Sequence, residues 1–249
     1  MGEPRVDRDA ELLLATAATM DLLAGTVQST PEQRLALERA GWLAGGRPPA
    51  DLEPLITTWG SAVARIAIRI RHEGRALTIG GVTDGELAVL LVPAASECGL
   101  HHVLAAPLES MPRWVARAVD LGPRPAHGDS SDLVPLTWAT VANCLGFAEE
   151  DSMRREARAL ATMMSPQESI DTVLAPDARR VTVTVTSTTG AYDESVDMVD
   201  AGDAGLWLVA ALPPEGESAA AIPFSTRGIW QLLARAFHAP TRHAAGSRA

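Results

Sequence analysis

The sequence predicts an α+β fold: a single globular unit of two quasi-two-fold related halves, residues 1–125 and 126–249, with an antiparallel β-sheet flanked by helices. Helix-period segments give way to period-two strands twice along the chain, and each set of strands closes in a helix that carries a tryptophan. The landmarks also recur at one spacing, which is the mark of a repeat. Trp114 and Trp230 are 116 residues apart, Ala116-Arg117-Ala118 and Ala234-Arg235-Ala236 are 118 apart, and Leu87 and Leu206 are 119 apart.

In the first half, residues 10–24 gather Leu12, Leu13, Leu14, Met20, Leu22 and Leu23 behind Asp9, a pattern that predicts one helix ending at Gly25. Thr30-Pro31-Glu32-Gln33 supplies a capping hydroxyl, a first-turn proline and a glutamine that reaches back to the cap, so a second helix starts there. A third follows Pro48-Pro49-Ala50-Asp51, carries Leu52, Leu55, Ile56 and Trp59, and stops at Gly60. From Val63 the period drops to two: Ile66, Ile68 and Ile70 alternate with Arg65, Arg69 and Arg71, which marks a strand with one buried face. His72-Glu73-Gly74 turns the chain toward Leu77 and Ile79, and Thr83-Asp84-Gly85-Glu86 makes a hairpin before the strand 87–92. A linker containing Cys98, His101 and His102 precedes a helix over 110–119, and the proline- and glycine-rich segment 121–129 joins the halves.

The second half is expected to follow the same plan. Helices are predicted over 133–147 and 151–164, with a shorter one ending at Leu174; strands follow over 181–185, 195–199 and 205–210, then a helix over 225–237. The five tryptophans at 42, 59, 114, 207 and 230 fall on predicted apolar faces. Trp138 does not, because Val141, Leu145 and Phe147 already supply the apolar face of its helix.

Composition narrows the function. The chain contains no lysine, which excludes a P-loop phosphate lysine, a Schiff-base lysine, a Ser-x-x-Lys nucleophile and a kinase strand lysine. With two cysteines a disulfide framework is excluded, and both are expected to be buried thiols. Cys98, His101 and His102 lack a second cluster at ligand spacing, so no metal is expected, and no catalytic constellation or cofactor motif is present. A net charge of −10 opposes nucleic-acid binding. The acids near the N-terminus argue against a signal peptide, and the apolar run around 87–95 is too short to span a bilayer, so a cytoplasmic protein without membrane insertion is expected.

One further arrangement identifies a relative. The order Arg34-Leu35-Ala36-Leu37-Glu38-Arg39-Ala40-Gly41-Trp42-Leu43, then Pro49-Ala50-Asp51-Leu52-Glu53-Pro54-Leu55, then the arginine-alternating strand with Gly74 and its return strand, resembles the EspG family of type VII (ESX) secretion-associated proteins. The strand 181–185, the acidic segment 191–218, Gly205-Leu206-Trp207-Leu208-Val209, Pro213-Pro214 and the helix 225–237 are similar to that family's closing segment. The resemblance covers most of residues 31–237. It implies a cytosolic chaperone that binds a secreted PE–PPE heterodimer near the exposed helical tip of its PPE partner and keeps it soluble, without cofactor or reaction. Two departures stand out: the family's long client-touching connection corresponds to the short segment 82–86, and the family's N-terminal strand is not evident before Asp9.

On this reading the client-binding residues are Thr83, Asp84 and Glu86 at the hairpin tip, and Trp138, Phe147, Met153, Met163 and Met164 on the second-half helices, where aromatic and methionine side chains suit an adaptable apolar anchor. The acidic field is expected to favour a basic or neutral client. The competing reading is a winged-helix DNA-binding regulator, with 32–42 and 51–59 as the helix pair and 65–71 as a wing strand.

Overall fold

One antiparallel sheet of eleven strands runs through both halves in the computed structural model, which describes residues 3–8, 12–95, 97, 99–124, 134–137, 177–212 and 218–246. The first half contributes β1 (Arg5–Asp7), β2 (Leu12–Ala15), β3 (Ala64–His72), β4 (Arg75–Thr83), β5 (Leu87–Pro93) and β6 (His101–Pro107). The second contributes β7 (Val134–Thr137), β8 (Arg179–Ser187), β9 (Asp193–Asp200), β10 (Leu206–Leu212) and β11 (Ser218–Phe224). Helices α1 (Ala17–Leu23), α2 (Pro31–Arg39), α3 (Glu53–Gly60), α4 (Met111–Ala118) and α5 (Thr226–Gly246) are the helices of the described residues.

The strand order β1-β2-β6-β5-β4-β3-β8-β9-β10-β11-β7 shows the quasi-two-fold directly. Moving outward from the β3–β8 pair, β4 matches β9, β5 matches β10, β6 matches β11 and β2 matches β7. Ala67 pairs with Thr184, 117 positions later, which puts the quasi-two-fold axis between them. α4 follows β6 and α5 follows β11, so Trp114 and Trp230 stand on equivalent helices.

Local chemistry explains most elements. Thr16 and Thr30 cap α1 and α2, and in each a side chain three residues on, Thr19 or Gln33, returns a hydrogen bond to the cap. The β3–β4 turn is two residues long, and both Glu73 and Gly74 take positive φ, the backbone that matches strand twist in a tight hairpin. Gly81 is required by close approach: a Cβ there would lie 2.5 Å from the Val89 carbonyl oxygen.

The sheet is covered on both faces. On one, Ile66, Ile68, Ile79, Leu90, Val181, Val183, Val185 and Met198 pack under Met111 and Val115 of α4 and under Ile229, Leu233, Ala236 and Phe237 of α5. On the other, Val82, Val89, Leu91 and Val103 pack under Met20, Leu37, Trp42, Leu52, Leu55 and Ile56 from the α1–α3 segment.

Several expectations are corrected. The helix read over 10–24 is split: Leu12–Ala15 is strand, and α1 begins only after the Thr16 cap. A leucine-rich run favours helix, but here it pairs with both β1 and β6, and tertiary pairing outweighs propensity. An N-terminal strand, β1, does precede Asp9. The linker with His101 and His102 is strand β6, hydrogen-bonded along β5 over seven residue pairs. β11 was hidden in an alanine run, and Val134–Thr137 is strand β7 rather than the start of a helix over 133–147. Trp230 does not face the core and is 40% exposed. The wing of the winged-helix alternative is removed, because the 65–71 strand is interior and paired on both sides.

The joint between the halves is an ion cluster. The Arg124 guanidinium donates from Nε (2.8 Å) and Nη2 (3.0 Å) to the carboxylate of Asp200, whose side chain is 3% exposed. Asp200 also accepts from the Gly202 N–H, Arg179 approaches its other oxygen at 3.8 Å and donates to the Val119 carbonyl, and the Arg124 N–H donates to Thr226 Oγ1 at the start of α5. The segment leaving α4 is thereby fixed to β9 and α5. Removing one partner of a buried pair strands the other charge. Asp200→Ala is expected to lower stability to urea unfolding by about 3–5 kcal/mol, and Arg124→Ala combined with it is expected to lose less than the sum of the two single changes.

Candidate partner-binding site

Strand alternation sets the chemistry of the second sheet face at its centre. Since Ile66 and Ile68 point into the core under α4 and α5, Arg65, Ala67, Arg69 and Arg71 point the other way. The register then builds four rows across the seam. Val82, Arg65 and Thr186 form one; Gly80, Ala67 and Thr184 the next; Thr78, Arg69 and Thr182 the third; Ala76, Arg71 and Arg180 the fourth. β9 extends the first three with Asp193, Ser195 and Asp197.

The second row has the smallest side chains, so a groove forms over the quasi-two-fold axis. Its volume is about 730 Å³, with Ala67, Gly80, Thr184 and Thr186 among its floor residues and Ala17, Trp59 and Ala62 along one wall. Apart from its chain neighbours, no described residue has an atom within 4 Å of where a Gly80 Cβ would stand, so the floor is open toward the described residues there. Trp59 is fixed in the wall by its Nε1–H, which donates to Asp21 Oδ1 at 2.9 Å. Arg65 is exposed at one border.

Asp197, in the third row, is the unusual ionisable group of this face. Burial pushes its carboxyl above the ordinary value of 3.8, and hydrogen bonds from Thr182 and Ser195 with the nearby charge of Arg69 only partly offset this.

The hairpin tip beside the groove is built from the inside. Thr83 is fully buried; its hydroxyl donates to the Leu87 carbonyl at 2.7 Å and accepts from the Gly85 N–H at 3.0 Å. Asp84 Oδ1 accepts from the N–H groups of Glu86 and Leu87, each at 2.9 Å, and Oδ2 accepts from the Thr58 hydroxyl of α3 at 2.8 Å. Thr83 and Asp84 thus spend their side chains on the turn and on docking it to α3. Glu86 is the member of the trio that faces solvent. Trp138, Phe147, Met153, Met163 and Met164 lie outside the described residues.

The groove was partly visible in the sequence. The arginine alternation of β3 and the Val-Thr alternation of β8 each name a polar face, but only the fold shows that the two strands are neighbours. Among the described residues no three His, Cys, Asp or Glu gather to hold a metal, and no helix is long and apolar enough to cross a membrane.

A continuous sheet arranged about a quasi-two-fold, with helices on both faces, defines an α+β fold. The solved structure of the chaperone EspG5 from the Mycobacterium tuberculosis type VII secretion system, in complex with a PE25–PPE41 dimer, matches with a TM-score of 0.57 at 9% identity, covering 91% of this chain and 94% of that one. At that identity the likeness is one of fold. No family model and no curated protein matches the chain.

The turn carries its own pH signature. Burial opposes the charge on Asp84, but hydrogen bonds from the Leu87 and Glu86 N–H groups and from Thr58 outweigh it and hold the carboxyl below 3.8. A depressed folded value gives stability that is fully present above the unfolded value and is lost as pH falls through the folded one. Asp84→Ala is expected to cost about 1–3 kcal/mol at neutral pH, and Asp84→Asn to flatten the acid limb of a urea-stability profile below about pH 4.

Proposed function

We propose that the chain is a chaperone or adaptor of a type VII secretion system, binding a secreted helical client of the PE–PPE kind and keeping it soluble in the cytoplasm. The observation that carries this reading is the match of nearly the whole chain to nearly the whole of EspG5, itself solved with a PE–PPE dimer. The open groove on the quasi-two-fold axis supports it, because a tip-shaped client needs a concavity with polar borders rather than a flat patch. The motif order shared with the EspG family points the same way.

The client tip sits over Ala67 and Gly80 beside Trp59. Glu86 contacts it from the hairpin, which Thr83 and Asp84 keep in shape. Trp138, Phe147, Met153, Met163 and Met164 provide apolar anchors from the second half. The protein's work is binding without chemistry, so no cofactor enters, and its acidity keeps nucleic acid away.

Co-expression with the PE–PPE pairs encoded by the host tests the reading. A stoichiometric complex that survives size-exclusion chromatography is expected with at least one pair, and failure of every pair overturns it. Within such a complex, Trp138→Ala is expected to weaken binding by about 1–3 kcal/mol with little change in melting temperature. Unchanged binding with a loss of about 3–5 kcal/mol in stability would instead put Trp138 in the core.

A further inference from the structure

The sheet face that holds the groove carries a charge opposite to that of the molecule. The chain has a net charge of −10, yet Arg65, Arg69 and Arg71 all project from β3 onto the groove face, and Arg180 of β8 stands directly opposite Arg71. Among the described residues neither Arg65 nor Arg71 has an ion pair, whereas Arg69 has the charge of Asp197 nearby. The acids of β9 on this face, Asp193 and Asp197, lie two strands from β3, about 9–10 Å away. Asp193 accepts the Thr186 hydroxyl at 3.0 Å. Asp21 in the wall is engaged by Trp59.

From this geometry we infer that the groove selects a client whose helical tip carries carboxylates, with Arg65 and Arg71 as the specificity-determining residues. This rests on the client-binding reading above and reverses the preference that the net charge suggests. At physiological salt the Debye length is about 8 Å, so the acids on remote surfaces are screened while a carboxylate seated in the groove meets Arg65, which lines it, with Arg71 farther along the same strand face. Guanidinium is also suited to the task, because its planar fork holds a carboxylate through two parallel hydrogen bonds. The neighbouring Thr184 lines the groove on the β8 side and can offer its hydroxyl to a carboxylate there.

The test uses the full chain and two synthetic helical-hairpin probes that share one apolar tip and differ only in carrying glutamates or arginines in the turn next to it. Binding is read by fluorescence anisotropy at low and high sodium chloride. The glutamate tip is expected to bind roughly tenfold or more tightly than the arginine tip at low salt, with the gap narrowing as salt rises. Arg65→Glu with Arg71→Glu is expected to invert the preference. Arg65→Gln, which removes the charge and keeps a long polar side chain on the strand, is expected to reduce it; thermal melts establish that both variants are folded. Equal binding of the two tips, or a preference unchanged in the folded double variant, overturns the charge selectivity and leaves the client reading standing. Binding of neither tip counts against both.

Discussion

Everything in this molecule hangs on the pairing of β3 with β8. It joins residues 64–71 to residues 180–187 in eight consecutive partners, and it is the link by which one sheet becomes continuous across two halves of the chain. Its core side places Ile66 and Ile68 beside Val185 and Val183, where both closing helices cover them. Its other side is polar and stays open at the axis. One register thus determines both the largest apolar cluster and the floor of the groove, and a slip by a single residue would exchange the two faces.

The cluster around Asp200 is the second condition for that arrangement. The pairing of strands so distant in sequence requires the chain to return across the molecule, and the segment after α4 starts that return. Arg124 and Arg179 hold it against β9 through one buried carboxylate, and Thr226 ties the same segment to the opening of α5. Buried charge is tolerated there because the donors and the acceptor satisfy one another.

How far the sequence could be read depended on whether the deciding force was local. The α+β class, the arginine strand, the Glu73-Gly74 turn, the Thr30 cap and both closing helices follow from periodicity and short-range hydrogen bonding, and all are present. β2, β6 and β11 were missed because Leu12–Ala15, His101–Pro107 and Ser218–Phe224 have weak or contrary strand propensity and owe their conformation to partners far along the chain. The polar hairpin residues suggest exposed chemistry, yet Thr83 and Asp84 turn inward, since a turn of this kind needs side-chain acceptors for its own amides. Ala67 and Gly80 carry no signal in the sequence, because nothing in a small side chain marks the floor of a groove until its neighbours across the strands are known.

The position of the quasi-two-fold axis has a consequence for how such a surface arises. In a true dimer of one half-length chain, the same sheet could close about an exact axis, but every side chain near that axis would be copied onto the opposite strand. Here the residues 117 positions after Arg65, Arg69 and Arg71 are Thr182, Thr186 and Thr188, so fusion of the halves lets hydroxyls on one bank stand in the places that arginines hold on the other. Two fused halves can therefore present a directional cleft at their centre of symmetry, whereas a symmetric homodimer would present two identical banks.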